Sequence, residues 1–104
     1  MVFNKKIGMI VRPETELMFR VNVIAVIEAV QLVSRLMSRT GGGSVVNIAS
    51  VTAVLGSPGQ SAYSATKGAV ISFTKSASKE LAPLRIRVNA VAPGIVKTER
   101  FAEL

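Results

Sequence analysis

The residues best suited to chemistry lie between Ser50 and Lys67, SVTAVLGSPGQSAYSATK, where the chain's single tyrosine, Tyr63, stands four residues before Lys67 and thirteen after Ser50. Helical spacing of four puts two side chains on one face, one turn apart, so the Lys67 ammonium can sit beside the Tyr63 phenol. A phenol ordinarily titrates near about 10 and is a poor acid or base at neutral pH, but an adjacent cation favours phenolate and brings proton exchange within reach. Such a pair suits proton transfer to or from a carbonyl or alcohol oxygen. Taken alone the spacing is weak evidence. With six lysines in 104 positions, chance places one four after a given residue roughly one time in seventeen, and an isolated pair is more often a half-buried tyrosine beside a solvated lysine.

The elements around the pair carry the case. From Glu14 to about Met37 the apolar positions Leu17, Val21, Ile24, Ile27, Val30, Leu32, Val33 and Leu36 largely recur at three and four, which predicts a long amphipathic helix. Residues 1–13 show no clean period and read as a loop ending in Arg-Pro. Asn22 is the odd residue of the helix, a poor helix former in an apolar stretch. It reads either as a bend satisfied by backbone or as a polar group kept for a site. Gly41, Gly42 and Gly43 stop the helix. Ser44 to Ser50 is a β-branched run, apolar on both faces apart from Asn47, as in a parallel sheet covered on both sides.

After a Gly/Pro loop at 56–59, Ser61 to Leu81 reads as a second helix with Ala62, Ala65, Ala69, Val70, Phe73 and Ala77 inward. Arg85 to Val91 reads as a second strand, stopped by Pro93 and Gly94. Strand, helix and strand in this order make a βαβ crossover. Ligands of open α/β sheets bind beyond the carboxyl ends of the strands. That is where Ser50, Tyr63, Lys67 and residues 92–98 gather.

Composition sets the outer limits. The 104 residues allow one domain, and 49% apolar with 18% charged residues argues for a packed interior. Cysteine, histidine and aspartate are absent, and the six acids are all glutamate. This excludes disulfides and Ser-His or Cys-His nucleophiles, and leaves no convincing carboxylate pair and no metal site to expect. The net charge of +7 raises nucleic acid as a partner. The basic residues are scattered without interleaved aromatics, so no nucleic-acid role is expected. The apolar run Val21 to Val33, broken by Asn22, Glu28 and Gln31, reads as too short and polar to span a bilayer. Lys5 and Lys6 precede too little apolar chain for a signal peptide, which leaves the cytoplasm as the expected compartment.

These residues together resemble the short-chain dehydrogenase/reductase family. The likeness rests on Asn22, the strand end Asn47 to Ser50, Tyr-Ser-Ala-Thr-Lys at 63–67, and KELAPLRIRVNAVAPGIVKT from Lys79 to Thr98. The wording is most similar to 3-oxoacyl-carrier-protein reductases and related sugar or alcohol dehydrogenases. The resemblance implies that Tyr63 exchanges a proton with the substrate oxygen while Ser50 hydrogen-bonds it. It implies that Lys67 holds the nicotinamide ribose and stabilises the Tyr63 phenolate, and that Asn22 positions a water linking Lys67 to solvent. It also places Pro93, Gly94, Ile95 and Thr98 against the nicotinamide of NAD or NADP. Ala49 for the commoner Ser and Arg85 where Gly is frequent are small departures.

The large departure is the lack of the family's opening strand and Gly-rich pyrophosphate turn. Residues 1–104 therefore read as a single partial Rossmann-like domain: long helix, strand, helix, strand of a doubly wound parallel sheet. The N-terminal cofactor-binding half and the C-terminal strand are not among them. The resemblance implies that both helices pack on one side of the two strands, which leaves a sheet face and an edge bare, a strong drive to associate. The resemblance implies a homo-oligomer, or pairing with full-length relatives, through the two long helices. Two functions fit: an NAD(P)-dependent oxidoreductase acting on a carbonyl or alcohol, its stand-alone activity weakened, or a non-catalytic relative serving as an oligomerisation module.

Overall fold

The computed structural model describes residues 1–93. After a short 3₁₀ turn at Ile7–Met9, helix α1 runs Arg12–Phe19 and passes through a π turn, Arg20–Ile24, into α2, Ala25–Arg39. Strand β1 is Gly43–Ile48, α3 is Thr52–Leu55, α4 is Ser61–Leu81, and β2 is Ile86–Val91 after a 3₁₀ turn at Ala82–Leu84. The long helix thus begins two residues before its expected start. Pro13 sits in its first turn, where a missing N–H breaks no helical bond, and Glu14 beside it favours the dipole. The Lys5–Glu14 ion pair and the Phe3 N–H donating to Met18 Sδ (3.4 Å) tie the opening segment to α1.

The π turn has a geometric cause. Met18, Asn22 and Val30 are the buried residues of this rod, at spacings of four and eight. Over twelve residues a regular helix, turning about 100° per residue, drifts about 120° and would carry Val30 off the stripe that holds Met18. The Ala25 N–H bonds to Arg20 O, one residue further back than in an α-helix. That extra residue takes back about 100°, so all three face inward. The rod Arg12–Arg39 is long and apolar enough to cross a membrane by length and composition alone, unlike the shorter run Val21 to Val33 read from sequence, and core helices of soluble proteins share that property. Its inward stripe packs on α4 and the sheet.

At the rod's end, Gly41 and Gly42 take positive φ (93° and 127°), and the Gly42 N–H returns to Met37 O at 2.9 Å, the outer bond of a Schellman stop. A Cβ on Gly42 would sit on the Arg85 carbonyl oxygen. Glycine is required here by both conformation and space.

β1 and β2 pair in parallel, Gly43 opposite Ile86 through Ile48 opposite Val91. The Gly43 N–H donates to Arg85 O (3.1 Å) and the Ala49 N–H to Val91 O (2.7 Å). Odd-numbered residues of β1 therefore turn their peptide groups toward β2, and Ser44, Val46 and Ile48 turn theirs to an open edge. Ala77, Ile86 and Val88 form the core with Met37, Val45, Phe73 and Leu81 around them. Among the described residues the strands are covered on one face alone. Val46 and Ile48, on the other, are 56% and 55% exposed. The described residues span only 18 Å in their thinnest direction, the depth of one sheet and one helix layer.

Three expectations need correction. β1 ends at Ile48, two residues sooner than predicted, and the segment after it makes the unforeseen helix α3, while β2 ends at Val91 as expected. The inward stripe of α4 is Thr66, Val70, Thr74 and Ala77, while Ala65 is exposed. Two threonines displace alanines there because each meets a buried asparagine. Asn22 Nδ2 donates to Thr66 Oγ1 (3.1 Å) and Asn47 Nδ2 to Thr74 Oγ1 (3.0 Å). Buried amides need such partners, and a hydroxyl supplies what alanine cannot.

Candidate active site

Ser50 leaves the carboxyl end of β1. Its carbonyl accepts the Ala53 N–H (3.0 Å) and opens α3. Its Oγ lies 3.1 Å from Thr52 Oγ1, and the Thr52 N–H approaches it at 3.4 Å. The next residue, Val51, donates its N–H to Pro93 O (3.1 Å). That bond clips the loop after β2 to the exit of β1 and carries Pro93 to the site. The crossover places Tyr63 in the opening turns of α4, half-buried, and Lys67 one turn later.

Ser50, Tyr63 and Pro93 line one cleft of about 510 Å³, together with Thr52, Gln60 and Asn4. Gln60 Nε2 donates to Asn4 Oδ1 (3.2 Å) across its rim. Lys67 is beside this cleft without lining it. Its Nζ lies 6.0 Å from the Tyr63 ring centroid and donates to Ile48 O at 3.2 Å. Asn22 stands behind. Its Nδ2 donates to Met1 O (2.8 Å) as well as to Thr66, and its Oδ1 accepts from the Met1 ammonium (3.1 Å). Thr66 Oγ1 donates in turn to Tyr63 O (2.7 Å). Gly94, Ile95 and Thr98 lie outside the described residues.

The structure therefore gathers Ser50, Tyr63 and Pro93, keeps Lys67 adjacent on a strand carbonyl, and uses the Asn22 side chain as a strut to α4. Thr52, Gln60 and Asn4 were missed by the sequence reading. Thr52 follows Ser50 closely enough to have been considered. Asn4 and Gln60 meet from positions 56 apart, and nothing local announces that. Among the described residues no group of three His, Cys, Asp or Glu could hold a metal.

A nicotinamide cofactor fits this site at one end. The phenol and ammonium beside an open cleft are donors suited to ribose hydroxyls. Its phosphates find no glycine-rich turn at a strand-to-helix junction among the described residues. Gly41 to Gly43 lie at the opposite end of β1 from Ser50, about 20 Å away at strand spacing.

Residues 4–104 match the model of the short chain dehydrogenase family. The chain belongs to that family. The 3-oxoacyl-[acyl-carrier-protein] reductase of Homo sapiens is 39% identical over 100 residues, 93% of this chain and 42% of that one. In structure, acetoin dehydrogenase from Enterobacter cloacae superposes with a TM-score of 0.88 at 34% identity, covering 99% of this chain and 41% of its own. NAD+-bound xylitol dehydrogenase gives 0.87 at 33%, covering 96% and 38%. The chain thus spans about two fifths of the length of these relatives, and its incomplete Rossmann-like sheet agrees with the expected fold class.

Proposed function

We propose that this chain supplies the proton-transfer face of an NAD(P)-dependent oxidoreductase that interconverts a carbonyl and an alcohol. The observation that carries the reading is the shared cleft: Ser50 and Tyr63 line it together, at the carboxyl edge of the sheet, with Lys67 one helical turn away. A substrate oxygen between the two hydroxyls accepts a hydrogen bond from Ser50 Oγ. In the reducing direction Tyr63 Oη gives it the proton that completes the alcohol, and in the oxidising direction takes that proton back. Lys67, released from Ile48 O, stabilises the phenolate left behind. A bound nicotinamide supplies or accepts the hydride at the substrate carbon. Tyr63, Lys67 and Pro93 would hold its ring and ribose, and the resemblance gives Gly94, Ile95 and Thr98 the same role. Asn22 serves this reading through Thr66, by fixing the turn of α4 that bears the pair.

The test is turnover of NADH or NADPH with small carbonyl substrates. Tyr63→Phe should lower it by about 10²–10⁴-fold, the range for a lost general acid. Unchanged turnover in that variant would remove Tyr63 from the chemistry. Titration of NADH and NADPH followed by fluorescence reads cofactor affinity separately.

A second reading is favoured by the surface. The α2 and α4 helices leave a groove of about 300 Å³ lined by Ile27, Val30, Phe73, Ala77 and Leu81, and Ile24, Leu32 and Leu36 are exposed nearby on the same rod. On this reading the chain, in the cytoplasm, pairs through these helices with itself or with a longer relative, without nucleic acid or membrane. Size-exclusion with and without a full-length relative checks it. A monomer indifferent to the relative counts against pairing.

A further inference from the structure

Gln60 is the N-cap of α4, yet its side chain makes no bond to the first N–H groups of the helix. Its backbone does the joining: the N–H donates to Ser57 O (3.1 Å) and the carbonyl accepts the Ser64 N–H (2.7 Å). The side-chain amide is spent elsewhere. It crosses the rim of the cleft, where Nε2 donates to Asn4 Oδ1 at 3.2 Å. A hydrogen bond between two amides at an exposed rim adds little to stability, because water serves either partner nearly as well. Its position says more. Asn4 and Gln60 line the same cleft as Ser50 and Tyr63, and Gln60 stands three residues before Tyr63, a spacing that sets Cβ atoms about 5–6 Å apart along a helix.

This clasp uses one donor and one acceptor of groups that each carry both. Among the described residues, Gln60 Oε1 and Asn4 Nδ2 have no other hydrogen-bond partner. An acceptor and a donor on the two halves of one clasp suit a ligand hydroxyl, which gives a proton to the first and accepts one from the second. The rest of the lining narrows the class. Every other described side chain around the cleft is a hydroxyl or an apolar group, so a carboxylate or phosphate would enter without a cation to meet it. A volume of about 510 Å³ leaves room for a small carbon chain bearing two oxygens.

We propose that Asn4 and Gln60 form a second-oxygen subsite, by which the cleft selects uncharged carbonyl compounds with a hydroxyl on the carbon beside the carbonyl. Ser50 and Tyr63 take the reacting oxygen. The neighbouring hydroxyl donates to Gln60 Oε1 and accepts from Asn4 Nδ2. A plain ketone forgoes both bonds and leaves the amides to water. Because the rim is wet, the discrimination is about tenfold, far below that of a fully buried hydroxyl site. The identity of the reacting oxygen rests on the proposed function, whereas the subsite binds its hydroxyl with or without turnover.

Hydroxyacetone and acetone, which differ only in that hydroxyl, are the probes. Each is titrated into the isotope-labelled chain while the side-chain amide signals of Asn4 and Gln60 are followed by NMR. Hydroxyacetone should shift both at about one tenth of the concentration that acetone requires. Gln60→Met keeps the length and loses the amide, and should abolish the Asn4 response. Asn4→Ala, on the exposed opening segment, should abolish the Gln60 response, and backbone spectra check that each variant is folded. Turnover with NADH or NADPH gives the second readout: kcat/KM should favour hydroxyacetone about tenfold, chiefly through KM, with the ratio falling toward one in either variant. The subsite is overturned if the two ketones shift the amides alike, if neither shifts them, or if a folded variant keeps the preference. Selective shifts without turnover of either ketone would instead overturn the chemistry proposed for Ser50 and Tyr63. Turnover without preference would leave that chemistry standing and overturn the subsite.

Discussion

Asn22 Nδ2 donates to Thr66 Oγ1 across 3.1 Å, and both side chains are buried. The bond joins the π turn of the long helix to the turn of α4 that lies between Tyr63 and Lys67. Removing the amide strands less than it first suggests, because Thr66 keeps its bond to Tyr63 O. Asn22→Ala should therefore cost about 1–3 kcal/mol, and Thr66→Val about 1 kcal/mol, since the Asn22 amide retains Met1 O. Because the two share one bond, the double variant should fall short of the sum. Urea denaturation of the four proteins checks it, and strict additivity would deny the strut.

The tyrosine, the lysine and the strand end were legible in sequence because each is set by local spacing: four residues on a helix, a β-branched run, a proline stop. The covered and bare sheet faces followed from the family resemblance, which packs the two helices on the same side of the sheet. What stayed hidden depends on partners far along the chain. Alanine spacing pointed to a small inward stripe on α4, yet Thr66 and Thr74 occupy it because Asn22 and Asn47, 44 and 27 residues earlier, require hydroxyls. The π turn was invisible because it repairs the phase of a stripe whose inward residues only the tertiary contacts define. The resting place of Lys67 on Ile48 O depends on the open edge, which no side-chain pattern encodes.

Arg85 holds φ of +60°, the left-handed region, at the end of the 3₁₀ turn. Its carbonyl accepts the Gly43 N–H that begins the sheet, so the chain cannot relax this residue without losing register. A side chain there costs about 1–2 kcal/mol, part of which glycine returns as freedom of the unfolded chain. Arg85→Gly should raise the unfolding free energy by up to about 1 kcal/mol. Gly42→Ala, at φ 127° against the same carbonyl, should lower it by more than about 1 kcal/mol. Thermal and urea melts of both variants test the pair, and a destabilising Arg85→Gly would mean the guanidinium stabilises the fold.

Ser50 Oγ and Thr52 Oγ1 are 3.1 Å apart in the mouth of the cleft. Only Ser50 leaves β1 directly, so on the proposed function its hydroxyl is the one that donates to the substrate oxygen, with Thr52 orienting it. Ser50→Ala should lower kcat by about 10²-fold, the usual loss for one donor to a developing oxyanion. Thr52→Val should lower it only a few-fold, with KM little changed. Steady-state kinetics separate the two, and equal losses would make both hydroxyls direct substrate ligands.

Val45 and Val46 are neighbours on β1 with opposite surroundings, as the period of two requires. Val45 packs against Ala77, Ile86 and Val88, and Val46 is 56% exposed on the bare face. Val45 is partly buried against that core, so a charge there loses packing and part of its hydration, and Val45→Lys should cost about 1–3 kcal/mol. A charge at 46 meets water. Val46→Lys should leave the melt within about 0.5 kcal/mol while lowering concentration-dependent association, because it interrupts the apolar surface shared with Ile48. Static light scattering over a concentration series measures the second effect. If association persists undiminished in Val46→Lys, it runs through α2 and α4 rather than through the sheet face, and Ile27→Glu becomes the variant that reduces it.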